Sequence, residues 1–170
     1  MFKYKNSKYL VWIGVLVVSS TFVGFVLGRD NTKETVNVLP GKLEISASRY
    51  DFGTIGLDNV SHTFVAKNTG EGPVKITQVS TSCGCTTAKL IKDGKSSVKF
   101  GMDHGNLPPA NMELEPGEEV EIEVTYNPLA HGLSKAKGYF NRLVYIKTDN
   151  PKEERELMIT MTVDPELGVN

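Results

Sequence analysis

The sequence has few of the residues that usually mark a specialised site. Its 170 residues include only two cysteines, one tryptophan and three histidines. Two cysteines are too few for a disulfide framework or for a self-sufficient zinc site. Neither sign of charge is in excess, because 19 lysines and arginines against 20 aspartates and glutamates leave a formal net charge of -1. The composition therefore predicts no long-range attraction to nucleic acid, and no nucleic-acid partner.

Familiar enzyme motifs are missing as well. The chain contains no nucleophile elbow, phosphate-binding loop, H-E-x-x-H helix or EF-hand loop. The closely spaced Glu119, Glu121 and Glu123 alternate with apolar residues, so they are expected to form the solvated face of a strand and not a carboxylate site. We therefore expect a non-enzymatic protein without catalytic residues or a cofactor. A thiol-redox role of the two cysteines is the exception left open.

A long uncharged run occupies the N-terminal part of the chain, from residue 9 to residue 27. As a helix these 19 residues would span about 28 Å, close to the ~30 Å hydrocarbon core of a bilayer. Three lysines within residues 1–8 predict that the N-terminus stays in the cytoplasm. The alternative is a cleaved signal peptide, but its apolar region is usually only about 7–15 residues long. The length of the run favours an uncleaved transmembrane signal anchor.

The composition turns polar over residues 28–42, which is typical of a linker. A flexible tether of about 14 residues has a root-mean-square reach of only ~20 Å. We therefore expect the rest of the chain to form one extracytoplasmic domain that works close to the membrane surface.

Residues 43–165 have the pattern of a β domain. The clearest period-two alternation of polar and apolar residues runs from residue 119 to residue 126. Asp93-Gly94 lies between two short runs and predicts a tight two-residue hairpin. Seven or eight short strands separated by turn signals, without an amphipathic helix, predict an all-β fold, an antiparallel β-sandwich.

Six short motifs follow one another along this domain. They are Asp51-Phe52-Gly53-x-Ile55, His62-x-Phe64, Asn68-Thr69-Gly70-x-x-Pro73-x-x-Ile76, Ser82-Cys83-Gly84-Cys85-Thr86, Pro116-Gly117-Glu118 and Thr148-Asp149-Asn150-Pro151. In this order, over roughly residues 43–163, they resemble the bacterial domain-of-unknown-function family of Hydin-like, major-sperm-protein-like immunoglobulin folds. The resemblance implies an immunoglobulin-like β-sandwich that is usually exported, often membrane-tethered, and used for protein binding or scaffolding. It carries over no catalytic residue.

The resemblance also gives the predicted anchor a bacterial setting. It implies a single-pass protein of the cytoplasmic (inner) membrane, with its β domain in the periplasm and another envelope protein as partner. One departure from the family is the length of the stretch around residues 88–112. We interpret this stretch as an insert whose hairpin need not lie in the shared sheet.

Cys83 and Cys85 leave three interpretations open. Residues two apart on an extended strand are separated by ~6.6 Å, so a disulfide requires a tight turn at Gly84. Such a small, strained ring would favour a redox-linked role. Alternatively, the two thiolates form a copper(I) or zinc site with Met102 and His104. In the third interpretation the thiols pack against the core as small apolar groups.

Two functions therefore compete. The first is a non-enzymatic, membrane-anchored module for protein binding or scaffolding, which offers sheet edges or loops to an envelope protein. The second is a thiol-redox or soft-metal protein centred on Cys83 and Cys85. The other histidines are not assigned to a site. His62 is expected to pack at a strand start, and His131 has no partner identifiable from the sequence.

Overall fold

A computed structural model describes residues 39–167. The predicted cytoplasmic N-terminus (1–8), the transmembrane helix (9–27) and the linker as far as residue 38 lie outside the described residues. Within residues 39–167, no helix is long and apolar enough to cross a membrane.

The described chain consists of ten β-strands and one short 3-10 helix. In chain order these are β1 (Leu43–Ile45), β2 (Arg49–Ile55), β3 (Val60–Asn68), β4 (Val74–Thr81), β5 (Thr86–Lys92), β6 (Lys95–Ser96), β7 (Met112–Leu114), β8 (Glu119–Tyr126), the 3-10 turn Leu133–Lys135, β9 (Gly138–Asp149) and β10 (Glu154–Val163). The count exceeds the expected seven or eight strands because some are only two or three residues long.

The strands form two five-stranded sheets, in the orders β1-β3-β8-β5-β6 and β2-β10-β9-β4-β7. Neighbouring strands pair antiparallel, except that β2 runs parallel to β10 at the edge of the second sheet. The predicted all-β antiparallel sandwich is confirmed, with this one parallel pair as a difference.

The period-two pattern becomes the two faces of each sheet. In β8, Val120 and Ile122 are buried, whereas Glu119 and Glu121 are exposed. This is the expected arrangement for an antiparallel sheet with one packed face and one solvated face. The core between the sheets takes apolar side chains from both, among them Ile76, Leu90, Ile122, Ile146 and Leu157.

The predicted hairpin forms, and its first strand belongs to the main sheet. Asp93 and Gly94 have φ angles of 51° and 72°, the left-handed conformation that a tight two-residue hairpin requires. β5 pairs with β8 from Thr86 to Ile91. The stretch interpreted as an insert therefore begins with an integral strand, and farther along it buries Phe100 completely.

A buried asparagine holds together the end of the sandwich where the described chain begins. Asn68, the last residue of β3, has no solvent exposure. Its Oδ1 accepts hydrogen bonds from the backbone N–H groups of Lys42 and Gly70 at 3.1 and 3.0 Å. Its Nδ2 donates to the carbonyls of Gly72 and Leu114 at 2.9 and 2.8 Å. The amide is fully satisfied and links three separate segments of the chain.

Replacing Asn68 with alanine should lower the free energy of unfolding by about 2–4 kcal/mol, because an unsatisfied buried N–H or C=O group costs roughly 1–3 kcal/mol. Denaturant titration of the purified protein measures this loss. Asn59→Ala, at an exposed position between β2 and β3, is the matched control and should cost less than about 0.5 kcal/mol. Equal small losses in both variants would contradict the structural role of Asn68.

A histidine lies between two aromatic rings and bridges the sheets. The His62 ring stacks on Tyr50 with centroids 3.5 Å apart, and it meets the Phe64 ring edge-on at 4.7 Å. Tyr50 belongs to β2 and His62 to β3, which lie in different sheets. Desolvation by this packing lowers the pKa of His62 from its ordinary value of 6.5. The folded protein therefore favours the neutral ring.

Because the folded state holds the His62 proton less tightly, the stabilisation from this group is present above pH 6.5 and is lost as the pH falls through the lowered pKa. His62→Phe keeps an aromatic ring and should reduce this loss. The measurement is the free energy of unfolding above pH 6.5 and at about pH 5. The exposed-residue control, His104→Phe, should retain the wild-type dependence. If the free energy of unfolding of His62→Phe depended on pH as that of the wild type does, groups other than His62 would account for the pH dependence.

Candidate functional site

The two cysteines lie in the short loop where the chain crosses between the sheets. β4 ends at Thr81 in one sheet and β5 begins at Thr86 in the other, which leaves four residues for the crossing. Cys83 and Cys85 form a disulfide, with Cα atoms 5.2 Å apart. This separation is shorter than the ~6.6 Å of an extended strand, so the turn at Gly84 closes the gap. The disulfide is the pairing named in the first of the three interpretations, and its redox-linked role stays a prediction.

Hydrogen bonds fix the backbone of this crossing. The Thr81 hydroxyl lies 3.0 Å from the carbonyl oxygens of both Cys83 and Thr86 and can donate to either. The Thr86 N–H also donates to the Cys83 carbonyl, at 3.1 Å. The Cys85 carbonyl accepts from the N–H of Asn127, which follows β8, at 2.8 Å. The disulfide therefore sits on a loop whose polar backbone groups are bonded to the ends of three strands.

Cys83 is the more exposed of the two cysteines. It is half-buried, whereas Cys85 is 3% exposed. The Sγ of Cys83 lies 3.1 Å from Nε2 of His131, an exposed residue of the β8–β9 loop. It also accepts the backbone N–H of Cys85 at 3.3 Å. His131, for which the sequence identified no partner, therefore faces the disulfide.

Cys85 accepts a hydrogen bond from a cation. The Nε of Arg142 donates to the Sγ of Cys85 over 2.9 Å. Arg142 reaches this sulfur because β9 continues beside the crossing loop. There the backbone N–H of Ser82 donates to the carbonyl of Leu143 over 2.9 Å. The backbone N–H of Leu143 donates in turn to the hydroxyl of Ser82, also over 2.9 Å.

Two aromatic rings hold the guanidinium in place. The Arg142 Cζ lies 5.8 Å from the ring centroid of Tyr126 and 5.1 Å from that of Phe140, within the range of cation–π attraction. Burial raises the pKa of Tyr126 above its ordinary value, and the charge of Arg142 partly opposes this effect. The phenol is therefore neutral at neutral pH, and the positive charge of Arg142 is available to the sulfur.

The two sulfurs thus have different chemical surroundings. A neighbouring cation stabilises a thiolate, so Arg142 favours negative charge on Cys85 after the disulfide opens. Cys83 is accessible from solvent and lies beside an imidazole that can accept or donate a proton. The arrangement suits a disulfide that is attacked at Cys83 and releases Cys85.

The structure changes the set of metal-ligating residues predicted from the sequence. Within the described part of the chain, the donor atoms of Cys83, Cys85 and His131 lie within 4.8 Å of one another, and His104 is not in this group. Met102 lies beside the loop through a parallel backbone bridge to Thr81, with its side chain 36% exposed. His131, and not His104, is therefore the histidine that lies beside the two cysteines.

Sequence reasoning missed His131 and Arg142. They lie 48 and 57 residues from the cysteines that they contact, so strand register alone brings them together. One signal was available. Residues 127–142 contain Lys135, Lys137 and Arg142 but no acidic residue, a local excess of positive charge directly after the clearest predicted strand.

Comparison with known proteins adds a family for part of the sandwich. Residues 43–103 match the family of proteins of unknown function designated DUF1573. This region contains the disulfide and β1 to β6, and it is less than half of the chain. No curated protein matches the sequence.

Solved structures resemble the chain in fold at low sequence identity. A protein of unknown function from Porphyromonas gingivalis has a TM-score of 0.56 and 16% identity, over 78% of this chain and 51% of that one. A family 123 glycoside hydrolase from Clostridium perfringens has a TM-score of 0.51 and 8% identity, over 74% of this chain and 27% of that one. A PapD-like domain of human CEP192 has a TM-score of 0.46 and 14% identity, over 74% and 87%.

The present chain thus spans about half of the Porphyromonas protein and about a quarter of the hydrolase. At these identities the likeness concerns the fold alone. The narrower resemblance to Hydin-like and major-sperm-protein-like domains stays a prediction.

In the reduced protein, Arg142→Gln should move the formation of the Cys85 thiolate to higher pH, because a positive charge within about 4–6 Å favours the charged sulfur. The measurement is the ultraviolet absorbance of the thiolate against pH, in a Cys83→Ser background that leaves one thiol. Lys137→Gln removes an exposed cation from the same segment and should have little effect. If the thiolate forms at the same pH in the Cys83→Ser protein and in its Arg142→Gln and Lys137→Gln derivatives, the assigned role of Arg142 is ruled out.

Proposed function

We propose that this protein is a membrane-tethered thiol–disulfide exchange module built on an immunoglobulin-like sandwich. The observation that supports it best is the unequal environment of the two disulfide sulfurs. Cys83 is half-buried and 3.1 Å from His131, whereas Cys85 is buried and 2.9 Å from Arg142. Exchange needs one sulfur that an incoming thiolate can reach and another that departs readily as a thiolate.

The reaction begins when a partner thiolate attacks the Sγ of Cys83. The bond to Cys85 breaks, a bond between Cys83 and the partner forms, and the electron pair leaves on Cys85 beside Arg142. His131 accepts the proton that the incoming thiol loses. A second partner thiol then attacks the partner sulfur of the mixed disulfide and releases Cys83. Two electrons and two protons have passed to the protein, which is reduced, and the partner is oxidised to a disulfide.

The disulfide closes a very small ring. Cys83 and Cys85 are two residues apart, and a ring of this size stabilises the fold by only about 1.6 kcal/mol through loop entropy. That is less than the roughly 5–15 kcal/mol by which folded domains are typically stable. The bond can therefore open and close while the sandwich stays folded.

The surroundings of the disulfide favour a protein as partner. Leu129 and Leu133 lie in the same β8–β9 loop as His131, and Tyr139 lies at the start of β9; these three residues are 44%, 61% and 67% exposed. We infer that these exposed side chains form one apolar surface, which is typical of a site for protein contact. The loop that carries His131 also carries Lys135, a positively charged residue.

In this proposal, residues 9–27 anchor the chain in the bacterial inner membrane and the sandwich lies in the periplasm. The uncharged run and the preceding lysines support this placement, and disulfides persist in that oxidising compartment. The described chain begins at Leu39, whose carbonyl accepts a hydrogen bond from Asn150 at 3.0 Å. This end lies opposite the disulfide, about 26 Å away along β3.

A second candidate function is a protein-binding or scaffolding module in which the disulfide is passive. The exposed side chains Leu129, Leu133 and Tyr139 favour it. Strand addition is a weaker basis, because β1, β6 and β7 are edge strands of only two or three residues. The longer edge strand β2 is interrupted by a register shift near Gly53. Such an irregularity makes the edge less suitable for pairing with a further strand. Binding by loops at the disulfide end is therefore the form that the structure supports.

A trapping experiment with the full-length protein in bacterial membranes tests the exchange proposal. The exchange is reversible, so the free Cys83 thiol of Cys85→Ser should attack the disulfide of an oxidised partner, and this variant lacks the Cys85 thiol that would release the bound partner. It should accumulate covalent complexes that disappear on reduction. Cys83→Ser is the matched variant and should trap far less, because Cys85 is buried.

Equal trapping by the two variants, or none by either, would contradict exchange through Cys83. The second candidate makes a different prediction. In that case Leu133→Ser and Tyr139→Ser should weaken non-covalent recovery of the partner, and the cysteine variants should recover it as well as the wild type does.

A further inference from the structure

We propose that the reduced form of the site binds copper(I) through Cys83, Cys85 and His131. The proposal uses the same cysteines as the exchange reaction, but it does not rest on that reaction. It also replaces His104, one of the ligands suggested by the sequence, with a histidine that the fold brings to the sulfurs.

The donor atoms are already close to a coordination geometry. The two Sγ atoms and an imidazole nitrogen of His131 lie within 4.8 Å of one another, and Nε2 is 3.1 Å from the Sγ of Cys83. Opening the disulfide lets the sulfurs separate enough to hold one ion between them. The Cα atoms, 5.2 Å apart and fixed by the bonded crossing loop, need not move far.

The chemistry of the donors selects copper(I) over zinc. Thiolates are soft ligands that favour copper(I). Structural zinc almost always takes four protein ligands, whereas the group found among residues 39–167 supplies three. Copper(I) needs fewer ligands than zinc does, and these residues can supply it with two thiolates and one neutral imidazole.

The charge balance points the same way. Two thiolates and one copper(I) ion carry a net charge of -1, which the guanidinium of Arg142 neutralises from 2.9 Å away. With zinc(II) the two thiolates are already neutralised, and Arg142 would leave an excess positive charge. An N–H donated to a ligating sulfur also holds that ligand in orientation.

Metal binding is coupled to the redox state of the pair. A dithiol or phosphine reductant supplies two electrons, and with two protons the disulfide becomes two thiols. Binding one copper(I) ion then displaces the two thiol protons and leaves two metal-bound thiolates. The oxidised protein has no thiolate to bind the ion, so the disulfide prevents metal binding at this site.

The test is a titration of the full-length protein in detergent with copper(I), in competition with a chromophoric copper(I) chelator. The phosphine-reduced wild type should take up one equivalent, and the oxidised protein should take up none. His131→Ala should bind about 10-fold or more weakly, and Arg142→Gln should also weaken binding. His104→Ala is the matched control and should bind as the wild type does. X-ray absorption of the complex should show two sulfur neighbours and one nitrogen neighbour.

Wild-type affinity in His131→Ala, weakened binding in His104→Ala, or uptake by the oxidised protein would overturn the proposal. Circular dichroism of each variant checks that it is folded, and Cys83→Ser with Cys85→Ser gives the background uptake. Covalent trapping by Cys85→Ser needs no metal. Failure of copper binding would therefore leave the exchange proposal standing, and failure of trapping would leave the copper result intact.

Discussion

The site depends on how little chain is available to cross the sandwich. Packed sheets lie about 10 Å apart, and only four residues separate the last residue of β4 from the first of β5. The backbone must turn sharply to make this crossing, which brings the Cα atoms of Cys83 and Cys85 to 5.2 Å. The same turn places one cysteine in the core and leaves the other half-buried. The difference between the two sulfurs is thus a product of the fold.

The chemical surroundings of the disulfide come from strands that the crossing loop touches. β9 pairs with β4, and its extension beyond that pairing delivers Arg142 to the buried sulfur. β8 ends at Tyr126, whose ring helps to position the guanidinium, and the following loop brings His131 to the accessible sulfur. No single segment contains the site. It is assembled from the β4–β5 crossing loop, the loop that follows β8, and β9.

The fold was predictable because its signals are local. Alternation in β8 and the Asp93-Gly94 turn each follow from a few adjacent residues, and both appear as expected. The partners of the cysteines were not predictable, since their contacts depend on the register between distant strands. Met102 and His104 were chosen for their donor atoms and their nearness in sequence, yet the histidine that reaches the sulfur is His131. The predicted anchor lies outside the described residues, so its interpretation still rests on composition.

The Asn68 amide lies at one pole of the sandwich and the disulfide at the other. The residues that link the chain segments at the Asn68 end are therefore different from the residues that surround the disulfide. A change of charge beside the sulfurs leaves the four hydrogen bonds of the Asn68 amide in place. In a domain arranged in this way, substitutions at the disulfide end can change which partner binds there, while the hydrogen bonds at the opposite end continue to hold the strands together.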